Sequence, residues 1–146
     1  MKISNSLKLE LVRSLPSLMP AVRVGRTAAG ASVRRRGADV VLDVRTPTGH
    51  HRHLYLTVQE QPVPGRVRES LRRLRAVLGA RRSDYPMLAS SFVSPRVRQI
   101  CREEGVGYVD LAGNCRLVFD DLYVEKSVAR NPFPKRGRPA SLFGPV

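Results

Sequence analysis

Apolar residues near the start of the chain recur at helical spacing. Leu7, Leu11, Val12 and Leu15 share one side, which predicts a helix over residues 4–19. Ser4 or Asn5 serves as its cap, and Pro16 and Pro20 blur its end. Residues 21–37 are less regular. Ala21–Val24 reads as a short strand, and the glycines and small residues at 25–31 read as a turn. Arg34, Arg35 and Arg36 fall on a second strand or in a loop. From Ala38 the period switches to two. Val40, Leu42 and Val44 alternate with Asp39, Val41 and Asp43. Thr46–Gly49 makes a turn, after which Leu54, Leu56 and Val58 alternate with Tyr55, Thr57 and Gln59. The pattern predicts a hairpin, ended by Pro62, Pro64 and Gly65.

The next helix is expected over 66–79, where Val67, Leu71, Leu74 and Leu78 recur every three or four residues and Gly79 terminates. Its outer face carries Arg66, Arg68, Arg72, Arg73 and Arg75, relieved only by Glu69. Met87–Ser90 reads as a short buried strand. Ser94 caps a helix that has Pro95 at its first position, faces Val97, Ile100 and Cys101 inward, and ends at Gly105. Three strands are expected at Gly107–Leu111, Cys115–Asp120 and Leu122–Lys126. Residues 131–146 hold four prolines and no apolar period, as in an extended tail. The order predicts one α/β domain over 1–130, a mixed central sheet flanked by helices in three layers, followed by a basic tail over 131–146.

Charge changes this picture more than composition does. The chain has 26 basic and 12 acidic residues, a formal net charge of +14. Of the basic residues 22 are Arg and four Lys. Codon bias in a GC-rich genome accounts for Arg replacing Lys, but not for the excess of positive over negative. The excess implies a polyanionic partner, nucleic acid before anionic membrane. Eight aromatic residues are too few for a platform that stacks single-stranded bases. Cys101 and Cys115 form neither a disulfide framework nor a zinc motif and read as small buried side chains. Lys8, Glu10 and Arg13 interrupt any signal-like apolar run, and no stretch reaches the ~20 apolar residues of a membrane span. A bacterial cytoplasm is the simplest expected location.

Pro134-Lys135-Arg136-Gly137-Arg138-Pro139 is unsuited to a helix or packed strand. Gly137 lets the backbone approach a surface closely, and two guanidinium groups suit a narrow, negative groove. These six residues resemble the AT-hook, a minor-groove peptide. The resemblance implies Arg136 and Arg138 in an A·T-rich minor groove, Lys135 on phosphate, and Gly137 and Pro139 shaping the backbone.

Residues 38–126 resemble the restriction-endonuclease-like, or PD-(D/E)XK, superfamily. The resemblance implies a core running helix, three-strand meander, helix, strand. It also implies an Asp on one strand and E-x-K on the next, which hold Mg²⁺ and aid the attacking water. Asp39 falls at the Asp position, but Thr57-Val58-Gln59 replaces E-x-K. Glu60 comes one residue late, where the pleat points it to the other face. Asp43 shares Asp39's face as a partial substitute. The nuclease centre therefore reads as lost, with no cofactor and no metal; Asp39, Asp43, Thr57, Gln59 and Glu60 are vestiges. The stretch Val106–Cys115, VGYVDLAGNC, resembles a segment of bacterial regulator or antitoxin-like proteins with a degenerate domain of this type, often followed by a winged helix. The plainer reading of Asp110 and Asn114 is a loop anchor, with Gly113 at positive φ. His51 and His53 share a strand face, but no third metal ligand accompanies them or His50.

The expected function is therefore binding of double-stranded DNA by a transcriptional regulator. Its contacts are Lys135, Arg136, Gly137, Arg138, Pro139, Arg66, Arg72 and Arg73, with no membrane partner and a homodimer left open. The alternatives are a Mg²⁺-dependent nuclease using Asp39, Asp43 and Glu60, or a basic protein-interaction module.

Overall fold

A computed structural model of the chain describes residues 5–28, 37–79, 83–119 and 122–128. The proposed tail contacts, 135–139, lie outside the described residues. Helix α1 spans Asn5–Leu18. Strands β1 (Arg23–Ala28), β2 (Val40–Arg45) and β3 (His51–Val58) follow, then helix α2 (Pro64–Leu78) and β4 (Asp84–Ser90). Helix α3 (Pro95–Glu104) precedes β5 (Gly107–Asp110), β6 (Cys115–Phe119) and β7 (Leu122–Lys126).

All seven strands form one sheet in chain order. β1–β2–β3 is an antiparallel meander. β3–β4 and β4–β5 are parallel, each joined across a helix as parallel pairing requires. β5–β6–β7 returns to antiparallel. The order helix, three-strand meander, helix, strand is the one the restriction-endonuclease-like resemblance implied.

The sheet has a core on each face. Leu7, Leu11 and Leu15 of α1 pack with Val40, Leu42, Val44, Leu54, Leu56 and Val58. On the other face Val67 and Leu71 of α2 and Val97, Ile100 and Cys101 of α3 pack with Leu88 and Tyr108. Cys101 and Cys115 thus lie in different layers, both buried, and burial pushes each thiol up to about 12. Close approach is tightest at Gly107, where a Cβ would lie 2.6 Å from the Arg116 carbonyl oxygen and 2.6 Å from the Tyr85 ring.

Three sequence expectations change. Residues 25–28 are not a turn: β1 runs through them, with a register shift between Val24 and Thr27. Pro64 does not merely end a strand but opens α2, because its missing N–H and fixed φ suit a first helical position. Strand β4 starts at Asp84, three residues before the apolar run. The Ser94 cap is as expected, its hydroxyl accepting from the Val97 N–H at 3.3 Å.

Candidate functional site

The carboxyl end of β3 and the first turns of α2 enclose a cleft of about 540 Å³. Its lining includes Asp39, Thr57, Gln59, Glu60, Arg66 and Arg73. Asp39 stands immediately before β2. Its N–H donates to the Leu56 carbonyl at 2.8 Å, and its Oδ2 accepts from the Val58 N–H at 2.7 Å. The carboxylate is thereby fixed against the end of β3, next to the buried Thr57. Gln59 is tied to β4 through its N–H on the Ala89 carbonyl, 3.0 Å.

Four of the expected vestigial residues therefore meet in one place. Glu60 does so against expectation. Strand β3 ends at Val58, so the pleat no longer dictates the direction of residue 60, and Glu60 lines the cleft. Asp43 does not join it. It sits four residues along β2, about 13 Å away at strand rise, opposite His53, which lies 3.2 Å from its carboxylate. His53 also approaches Asp84 at 3.4 Å. His51 instead meets Arg45, and His50 meets Thr48, so the histidines face different partners.

The arginines of α2 divide by helix geometry. At 3.6 residues per turn, Val67, Leu71, Leu74 and Leu78 form the buried stripe. About 100° to one side lie Arg66, Ser70 and Arg73, all lining the cleft. About 100° to the other lie Arg68, Arg72 and Arg75. This second stripe is not relieved only by Glu69, as the sequence suggested. Arg68 reaches Glu104 at 2.9 Å and Glu103 at 2.8 Å. Arg72 Nε donates to Glu104 at 3.2 Å, and Arg75 donates to the Glu104 backbone carbonyl at 2.6 Å. Glu104 is buried. The bond from Arg68 holds the Glu103 carboxyl below its ordinary range, and the bond to Glu103, with a second to Glu104, raises the Arg68 guanidinium. Arg66 and Arg73 remain on the cleft, Arg73 only 3.6 Å from Glu69 on the exposed surface. The expected contacts Arg66 and Arg73 thus share a cleft with Asp39, while Arg72 is turned toward α3.

Sequence reasoning missed the buried charges. Arg98 is buried, donates Nε to the Val93 carbonyl at 3.0 Å and lies over the Phe92 ring. Asp110 and Asn114 are fully buried and act as the expected anchor. Asp110 accepts from Gly113 N, Asn114 N, Asn114 Nδ2 and Val93 N at 2.7–2.9 Å. Asn114 Oδ1 in turn accepts from Val128 N at 2.6 Å. Gly113, at φ 109°, makes the turn that brings these N–H groups onto one carboxylate.

Asp39 and Glu60 are the carboxylates of the cleft, and Thr57 and Gln59 do not complete a Mg²⁺ centre with them. Thr57 and Gln59 offer neutral oxygens where a carboxylate and a cation belong, and one Asp39 oxygen is committed to a backbone N–H. Among the described residues no group of three His, Cys, Asp or Glu side chains is placed to hold a metal ion. Two guanidinium groups on its wall suit a phosphate oxygen instead.

No protein-family model and no curated protein matches the chain. Among solved structures it is similar to EndoMS in its apo form, with 14% identity and a TM-score of 0.43 over 75% of this chain and 47% of that one. It is similar to a repair endonuclease from Pyrococcus abyssi at 10% identity and a TM-score of 0.44, over 75% and 47%. An EndoMS complex with dsDNA gives 14% and 0.42, over 75% and 46%. The chain spans about half the length of these structures. Among the described residues no helix is long and apolar enough to cross a membrane.

Proposed function

We propose that the protein binds double-stranded DNA without cutting it, on a nuclease-like α/β scaffold, as a regulator of transcription. The observation that carries this reading is the Asp39 cleft, where Arg66 and Arg73 share the wall with the neutral Thr57 and Gln59. The two guanidinium groups suit backbone phosphate although Asp39 and Glu60 share the cleft, and Thr57 and Gln59 bring neither a carboxylate nor a cation to help activate water. In this reading Arg136 and Arg138 add A·T preference from the minor groove, and Lys135 adds a phosphate contact.

A second reading is a Mg²⁺-dependent nuclease; one of the similar solved structures is called a repair endonuclease. What favours it in this chain is that Asp39 and Glu60 line one cleft. Incubation of the full chain with plasmid and Mg²⁺ or Mn²⁺ separates the two. We expect a retarded but intact duplex, with affinity falling steeply as salt rises. Cleavage that disappears in Asp39→Ala establishes the nuclease reading instead. Absence of both binding and cleavage in dilute buffer defeats both readings.

A further inference from the structure

The far end of the meander carries a second concentration of positive charge. The register sets Arg23 opposite Arg45, and Arg45 opposite His51. Three basic side chains therefore stand abreast on β1, β2 and β3, on one face of the sheet, and all three are exposed. Like charges directly opposite in a sheet repel. Among the described residues neither arginine has a carboxylate within 4.0 Å. The adjacent cross-strand row does contain carboxylates, Asp43 and Asp84, but His53 lies between them at 3.2 and 3.4 Å. Arg45 Nη2 instead donates to His51 Nε2 at 2.7 Å, a contact that holds the row together without neutralising it.

A cavity of about 640 Å³ opens beside this row. Arg23 and Arg45 both line it, together with Thr46 and an apolar wall of Pro16, Pro20 and Pro47. The combination is chemically specific. Two guanidinium groups match the oxygens of a phosphate. Asp39 and Arg45 lie six residues apart along β2, roughly 20 Å, so this cavity is not the Asp39 cleft.

We infer that Arg23 and Arg45, the latter held by His51, form a site for the phosphate group of a nucleotide, supplied either by a free nucleotide or by a nucleic-acid backbone. The site does not depend on what the Asp39 cleft does.

The test uses the full chain, the double variant Arg23→Gln/Arg45→Gln, and the single variant Arg23→Gln. Thermal melting is followed in inorganic phosphate, in a nucleoside monophosphate, and in chloride of matched ionic strength. At a ligand concentration about tenfold above Kd, the two phosphates should raise the wild-type Tm by about 5 °C. The double variant should lose that shift. In chloride, Arg23→Gln should melt at or above the wild type, because one of two opposed cations is gone. An equal phosphate shift in the double variant, or a lower Tm for Arg23→Gln in chloride, overturns the site. Duplex titration then identifies the source. A salt slope reduced by about 2 in the double variant identifies backbone phosphate; an unchanged slope identifies a free nucleotide. The melting arms need no duplex binding, so they stand even if the Asp39 cleft binds no DNA.

Discussion

Helix α2 carries two arginine stripes on either side of its buried one, and their environments differ. Arg68, Arg72 and Arg75 converge on Glu104, with Arg68 also on Glu103 of α3. Arg66 and Arg73 look onto the Asp39 cleft. The two sets are alike in composition and lie within one ten-residue stretch. What separates them is a pair of carboxylates 29 to 36 positions later. A count of charge along an element therefore does not measure the charge available to a ligand. The stripe facing α3 stabilises the fold, because a buried carboxylate is tolerated only when its oxygens are bonded. The stripe facing the cleft, where Arg73 also lies near Glu69, is the one that the proposed function assigns to phosphate.

The largest effect should come from removing the carboxylate that defines the first stripe. Glu104→Ala leaves three partly exposed guanidinium groups without their shared partner, and we expect a loss of about 1.5–3 kcal/mol in urea unfolding. A loss under about 1 kcal/mol would mean that α2 and α3 are held by Val67, Leu71, Val97 and Ile100 alone, and the contrast between stripes would lose its physical basis.

The second test exchanges the roles. Arg66→Gln/Arg73→Gln should leave Tm nearly unchanged and reduce the salt slope of duplex binding by about 2, since each phosphate contact contributes about 0.9. Arg68→Gln/Arg75→Gln should lower Tm and leave the slope unchanged. The reverse pattern would assign the nucleic-acid face to the stripe beside α3.

The smallest effect is acid sensitivity. The Glu103 carboxyl is held below its ordinary 4.5 by the bond from Arg68, so its folded form is favoured when ionised. That contribution is present above pH 4.5 and fades as pH falls through the lower folded value. Arg68→Gln should flatten the loss of Tm on acidification. An identical acid slope in the variant removes the pair from the account.

Much of this molecule was legible from periodicity. The β2–β3 hairpin, the buried stripe of α2 and the Ser94 cap each repeat a local rule, and the structure follows them. Asp39, Thr57 and Gln59 were placed together because strand register follows from alternation. Strand β1 was legible only at its start, Arg23 and Val24: it is an edge strand with mostly exposed residues, so alternation is faint, and Gly25 resembles the opening of a turn. Glu60 was misplaced because the pleat was extended past the strand's last residue. Glu104 and Arg98 escaped because a sequence reading puts charges outside, and their partners are fixed only by tertiary packing. The bonds of Arg68 to Glu103 and Glu104 close loops of 35 and 36 residues, which no window of ten or fifteen contains.

The placement of the two thiols has a use of its own. Cys101 belongs to the layer under α2 and α3, and Cys115 to the layer under α1. Shielded and fully protonated at neutral pH, neither reacts with an alkylating reagent until its own layer parts from the sheet. Following modification of each sulfur separately under mild denaturant therefore times the detachment of the two helical coverings. The chain carries a native reporter on each side, with no label to engineer.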